Sequence, residues 1–172
     1  MPGSDADVLG TQLLHELTQQ KPDMDDISWL IGQGASMKVT DKNGYTPLMH
    51  MLGWGNTSYI EAMIKHGADV NYRHPANGRS ILQLAALRSS AAIVGIMLEA
   101  GGEVFQADKD GDTALALARK RGDAEVLQLV EARAPAQQPD YRQREALLKA
   151  VDTGMQIEKA FRPLKPLRYR PS

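Results

Sequence analysis

Three stretches decide the fold: "KNGYTPLMHML" (42–52), "ANGRSILQLAA" (76–86) and "KDGDTALALAR" (109–119). Their turn glycines, Gly44, Gly78 and Gly111, fall 34 and 33 residues apart, and Leu48, Leu82 and Leu115 repeat the same steps. Downstream, "IKHGADVN" (64–71) matches "LEAGGEVF" (98–105), and "IGQGASMK" (31–38) precedes both. The glycines of that second mark, Gly34, Gly67 and Gly101, lie 33 and 34 residues apart. Between the two marks each unit holds two apolar patches, such as Leu82-Leu84-Ala85-Ala86 and Ile93-Val94-Met97-Leu98. Their spacing is that of short amphipathic helices, separated by a break at Gly55, Ser89 or Gly122. Two such helices cannot bury their apolar faces alone, so units of this kind stack in rows and share a continuous core.

The Gly of each "NG" or "DG" supplies positive φ in a tight turn, beside an Asp or Asn that can bond its own backbone. The Gly after the second helix serves as a C-cap. With this period, "DKNGYTPL" (41–48), "DKDGDTAL" (108–115) and "KHGADVN" (65–71) resemble ankyrin repeats, most strongly over residues 41–133. Degenerate copies flank that range. "DDISWLIGQGA" (25–35) reads as a second helix, with Leu13, Leu14 and Leu17 on the first. "EALLKAVDTGM" (145–155) repeats the first-helix pattern, Leu147 lying 32 residues after Leu115 and Gly154 32 after Gly122. No Gly-Xaa-Thr turn precedes it, and Glu131 and Ala134 replace an apolar residue and the C-cap Gly of the third full repeat. The resemblance implies an all-α ankyrin-repeat solenoid of about five stacked helix pairs with finger-like turns. Residues 1–157 are expected to form one domain: a cap at 7–40, repeats at 41–73, 74–107 and 108–140, and a degenerate C-terminal cap at 141–157. Residues 158–172 follow as an extended basic tail.

Composition fits one domain: 172 residues, 42% hydrophobic, net charge −1 and pI near 6.4. That balance draws the chain to neither nucleic acid nor membrane. The absence of cysteine removes disulfides, thiolate catalysis and Cys-ligated zinc. The first residues carry Asp5 and Asp7 but no basic residue, unlike a secretory leader. The longest uncharged stretch, Asn43 to Ile60, contains Pro47, Asn56, Thr57 and Ser58 and is no membrane span. The expectation is a soluble, cytoplasmic chain that is monomeric by itself. Charge is uneven: residues 1–40 have two basic and six acidic side chains, and residues 141–172 have eight basic and three acidic.

Some positions depart from the family pattern. A His usually follows Pro-Leu, but Met49, Gln83 and Ala116 stand there, so the turn bonds such a His would make are expected to be missing. His50 falls one position late, and Met51 and Leu52 replace a small Ala-Ala pair. A more widely packed first full repeat and a less rigid scaffold are expected from this.

Catalytic chemistry finds little support. His15, His50, His66 and His74 form no metal-binding motif; His66 reads as a helix C-terminus residue and His74 as an exposed tip residue. Phosphate-loop, dinucleotide and nucleophile-elbow patterns are absent. "DKDGD" (108–112) echoes a calcium loop, but Arg119 stands where the bidentate Glu belongs, so it reads as a repeat turn. No enzyme activity, cofactor or metal is expected.

Binding residues emerge from columns of the repeat. Trp54, Arg88 and Arg121 are equivalent positions just before the inter-helix break, and so mixed a column faces solvent. Lys120 stands beside it. Tyr45, Arg79 and Asp112 form a second column after the turn Gly, and Lys42-Asn43, Ala76-Asn77 and Lys109-Asp110 a third over the tips. In proteins resembling this one, the tips and the concave helices form the binding face. Trp, Tyr and Arg dominate interface energies when buried. The expected partner is therefore a protein, held by Trp54, Tyr45, Arg79, Arg88 and Arg121, with Lys42, Asn43, Asn77, Lys109, Asp110, Asp112 and Lys120 around them. Trp29, inside "ISWLI", reads as core. In the tail, Pro163, Pro166 and Pro171 forbid helix beyond Phe161. Its Arg162, Lys165, Arg168 and Arg170 leave three readings open: folding back on the stack, inserting into a partner, or binding nucleic acid. "PLKPLR" (163–168) also fits a polyproline ligand pattern.

Overall fold

The structure, a computed structural model, describes residues 4–137. By contacts the chain divides into two compact units, 1–133 and 134–172, and of the second only residues 134–137 are described. The expected C-terminal cap (141–157) and tail (158–172) lie outside the described residues.

Among the described residues, eight helices follow in pairs: α1 (Asp5–Leu17) and α2 (Met24–Gly32), α3 (Pro47–Trp54) and α4 (Thr57–Lys65), α5 (Ile81–Arg88) and α6 (Ala91–Glu99), α7 (Ala114–Arg121) and α8 (Ala124–Gln137). The first members form one layer, α1 on α3, α3 on α5 and α5 on α7; α2, α4 and α6 form a second. Between the layers lies the core, with Leu13, Ile27, Leu48, Met51, Ile60, Met63, Leu82, Ile93 and Met97 essentially inaccessible.

Each inner helix after the first starts on a hydroxyl. Thr46 accepts the N–H of Met49, with Pro47 at the first helical position, where its missing N–H costs nothing. Thr113 accepts from Ala116 in the same way. Ser80 forms a reciprocal capping box with Gln83. The turn glycines Gly44, Gly78 and Gly111 have φ of +87°, +69° and +82°, as the repeat requires. α3 and α7 end on left-handed Gly55 and Gly122. α5 instead ends on extended Ser89.

Two expectations fail. Trp29 is 58% exposed rather than core. The buried stripe of α2 runs Ile27, Leu30, Ile31, at i, i+3 and i+4, which turns position 29 away. His74 is buried rather than an exposed tip residue. It occupies the place of Asp41 and Asp108 in the turn, its N–H donating to the Arg79 carbonyl as theirs do to Tyr45 and Asp112. Its ring packs against Tyr45, centroids 4.5 Å apart.

Candidate protein-binding face

The three turns form a row of tips before α3, α5 and α7. Asp41 Oδ1 accepts the N–H groups of Asn43 and Tyr45 at 2.8 and 2.9 Å. Asp108 Oδ1 accepts those of Asp110 and Asp112 at 3.0 and 2.9 Å, confirming "DKDGD" as a repeat turn. In the middle turn, one residue longer, Asn77 Oδ1 takes the N–H of Arg79. Burial pushes the Asp108 carboxyl up. Hydrogen bonds from Arg79 and from its own turn, with the Arg79 charge, outweigh that and hold it below the ordinary aspartate range. Asp41 is likewise pushed up by burial and pulled down further by the N–H groups of Tyr45 and Asn43 and by His50. His50 Nε2 lies 3.1 Å from Asp41 Oδ2: displaced one position along the helix, the histidine serves the tip directly.

Several side chains picked from the sequence are engaged in tying repeat to repeat. Arg79 contacts Asp108 at 2.9 Å and Asp110 at 3.4 Å, and the Asp108 hydrogen bond raises its pKa further. Lys109 Nζ donates to the carbonyls of Pro75 and Ala76 in the preceding turn, at 2.6 and 3.0 Å. Lys120 instead pairs with Asp112 of its own repeat, at 2.6 Å. Arg121 reaches back to the carbonyls of Ala86 and Ser89, at 3.2 and 2.6 Å, and pairs with Asp123. It thereby caps the end of α5, where no glycine does so. The expectation that the turn bonds of the missing His are lost is corrected at Gln83. Fully buried, it accepts from the Ser80 N–H and donates to the carbonyls of Gln106 and Asp112.

Lys109, Asp110 and Lys120 are exposed as well as bonded, and the other exposed positions are a smaller set. Trp54 is 46% and Tyr45 38% exposed, and Arg88, Lys42 and Asn43 are exposed. Trp54 and Arg88 are the last residues of α3 and α5, whereas Tyr45 sits just before the Thr46 cap of α3. An eight-residue helix separates them, so the Trp54 and Tyr45 ends of the face stand about 12 Å apart by helical rise. Arg162, Lys165, Arg168 and Arg170 lie outside the described residues. Sequence reasoning ranked columns by composition, so it did not separate side chains that bond a neighbouring repeat from those left facing solvent. A carboxylate opening the turn of the next repeat, as Asp108 does 29 residues after Arg79, was the available signal.

Among the described residues no group of three or more His, Asp or Glu side chains is placed to hold a metal, and no helix is long and apolar enough to cross a membrane.

Comparison with known proteins agrees with this architecture. The chain is 29% identical over 133 residues to the Tyrosine-protein kinase HTK16 of Hydra vulgaris, covering 77% of this chain and 17% of that protein. It is 34% identical over 111 residues to the Probable E3 ubiquitin-protein ligase XBOS34 of Oryza sativa subsp. japonica, covering 63% and 22%. Against a Putative ankyrin repeat-containing protein of Treponema pallidum (strain Nichols) it is 28% identical over 125 residues, covering 72% and 41%. The chain thus spans less than half the length of each of these relatives. Ankyrin repeats are generally protein–protein interaction modules, and the repeat fold is non-catalytic. With the ankyrin-repeat family model matching three copies over residues 14–108, more than half its length, this chain belongs to the ankyrin repeat family.

Proposed function

We propose that the chain is an adaptor, inhibitor or immunity-type module that holds a partner protein on its tips and inner-helix ends. Trp54 is the anchor, with Arg88 at the equivalent place in the next repeat and Tyr45, Lys42 and Asn43 at the tip. The observation that supports this most is a tryptophan left 46% exposed at the end of a helix that buries Leu48, Met49 and Met51. Such a side chain contributes on the order of 2 kcal/mol or more once a partner covers it. Arg79, Lys109, Asp112, Lys120, Arg121 and Asn77 act mainly by fixing the geometry of that face, to which the exposed Asp110 adds little. The test is affinity capture of a partner from source cells with wild type and with the Trp54→Ala/Arg88→Ala double variant. Capture by wild type alone, at equal thermal stability, supports the reading; equal capture by both removes it.

A further inference from the structure

α1 packs on α2 and α3, and α2 on α1 and α4. A second surface lies on this first pair: an open groove of about 650 Å³ whose lining, among the described residues, comes from α1 and α2. Val8, Leu30 and Trp29 are its apolar side chains, and Glu16 and Asp26 its charged ones. Val8 is 53% and Trp29 58% exposed, more than either Tyr45 or Trp54. On α1 the lining residues Val8, Thr11, Gln12 and His15 recur at helical spacing, so this wall extends over two turns. Neither helix contains a lysine or arginine, while Asp5, Asp7, Glu16, Asp25 and Asp26 all lie on them.

A trough between two packed helices has the shape that receives a third, and helix-in-groove recognition reads an apolar stripe. The charge decides the flanks of that helix. A second copy docking by the same face would bring one acidic surface against another, which repels. We propose that the α1/α2 groove docks an amphipathic helix of a partner protein, its apolar stripe on Trp29, Val8 and Leu30 and its lysines or arginines toward Glu16 and Asp26. This surface shares no residue with the tip face, so the two bind independently.

The chain has two tryptophans, so the full-length Trp54→Phe variant leaves Trp29 as the sole indole reporter. The probes are two synthetic helical peptides with the same leucine stripe, one flanked by lysine and the other by glutamate. The lysine peptide is expected to shift Trp29 emission saturably and to weaken with added salt, while the glutamate peptide does nothing. Calorimetry on Trp29→Ala, and separately on Glu16→Gln/Asp26→Asn, is expected to show affinity lower by about tenfold or more. With Trp29 and Asp26 exposed and Glu16 half-buried, the melting temperature is expected to stay unchanged, which separates lost binding from lost folding. No saturation with the lysine peptide, or an equal response to both peptides, overturns the proposal. So does a Trp29 shift that follows protein concentration alone, which would assign the groove to a second copy.

Discussion

Arg79 Nε donates to Asp108 Oδ2 at 2.9 Å, joining the turn of one repeat to the turn of the next. The Asp108 side chain has no exposed surface, and its other oxygen closes its own turn through two N–H groups. One carboxylate therefore sets a local turn and locks it to its neighbour. Asp108→Ala strands two turn N–H groups and an arginine, and is expected to cost roughly 3 kcal/mol in urea unfolding. Asp110, 67% exposed and 3.4 Å from the same arginine, is a control: Asp110→Ala is expected within about 0.5 kcal/mol of wild type.

Acid is expected to act through the same carboxylates. Asp41 and Asp108 are held below the ordinary aspartate range in the folded chain. A lowered folded pKa gives stability that is fully present above the unfolded value of about 3.9 and is lost as pH falls through the folded one. Urea midpoints should hold steady from about pH 7 to pH 5 and fall below about pH 4. The fall should be shallower in Asp108→Asn, which has no proton to gain there.

Gly44 carries a tighter constraint than its counterpart Gly111. Both have positive φ, +87° and +82°. A Cβ on Gly44 would stand 2.5 Å from Pro75 Cγ in the next turn, whereas one on Gly111 meets nothing. Gly44→Ala is expected to cost about 3 kcal/mol and Gly111→Ala about 1 kcal/mol, measured by thermal melts.

Gln83 supplies the bonds that the family's histidine would make. Gln83→Leu keeps the volume but leaves the Ser80 N–H and the Gln106 and Asp112 carbonyls without that partner. A loss of roughly 2 to 3 kcal/mol is expected, with hydrogen exchange quickening at the Ser80 amide before the core.

The helix pairs were legible because each repeats one physical unit: a glycine at positive φ, a hydroxyl cap and two apolar stripes. Gly44, Thr46 and Leu48 recur in register as Gly78, Ser80, Leu82 and as Gly111, Thr113, Leu115, and each does the same work. The exposed Trp54 was legible for the converse reason, since its column does not keep an apolar residue. Trp29 was misread because every apolar residue of "ISWLI" was counted as core, although helical phase buries only Ile27, Leu30 and Ile31. His74 was misread because the middle turn has one extra residue, which hid its equivalence to Asp41 and Asp108. Arg79, Arg121 and Lys109 read from the sequence as surface positions, but each reaches a partner in a neighbouring repeat. Only the three-dimensional stack pairs them.

The most direct test of the recognition face is calorimetry with a captured partner, comparing wild type with Trp54→Ala/Arg88→Ala. Arg121 stays intact, because its bonds to Ala86 and Ser89 make it part of the fold. The account predicts affinity lower by about thirtyfold or more, the equivalent of about 2 kcal/mol, with an unchanged melting temperature. Equal affinity in the two proteins would contradict it.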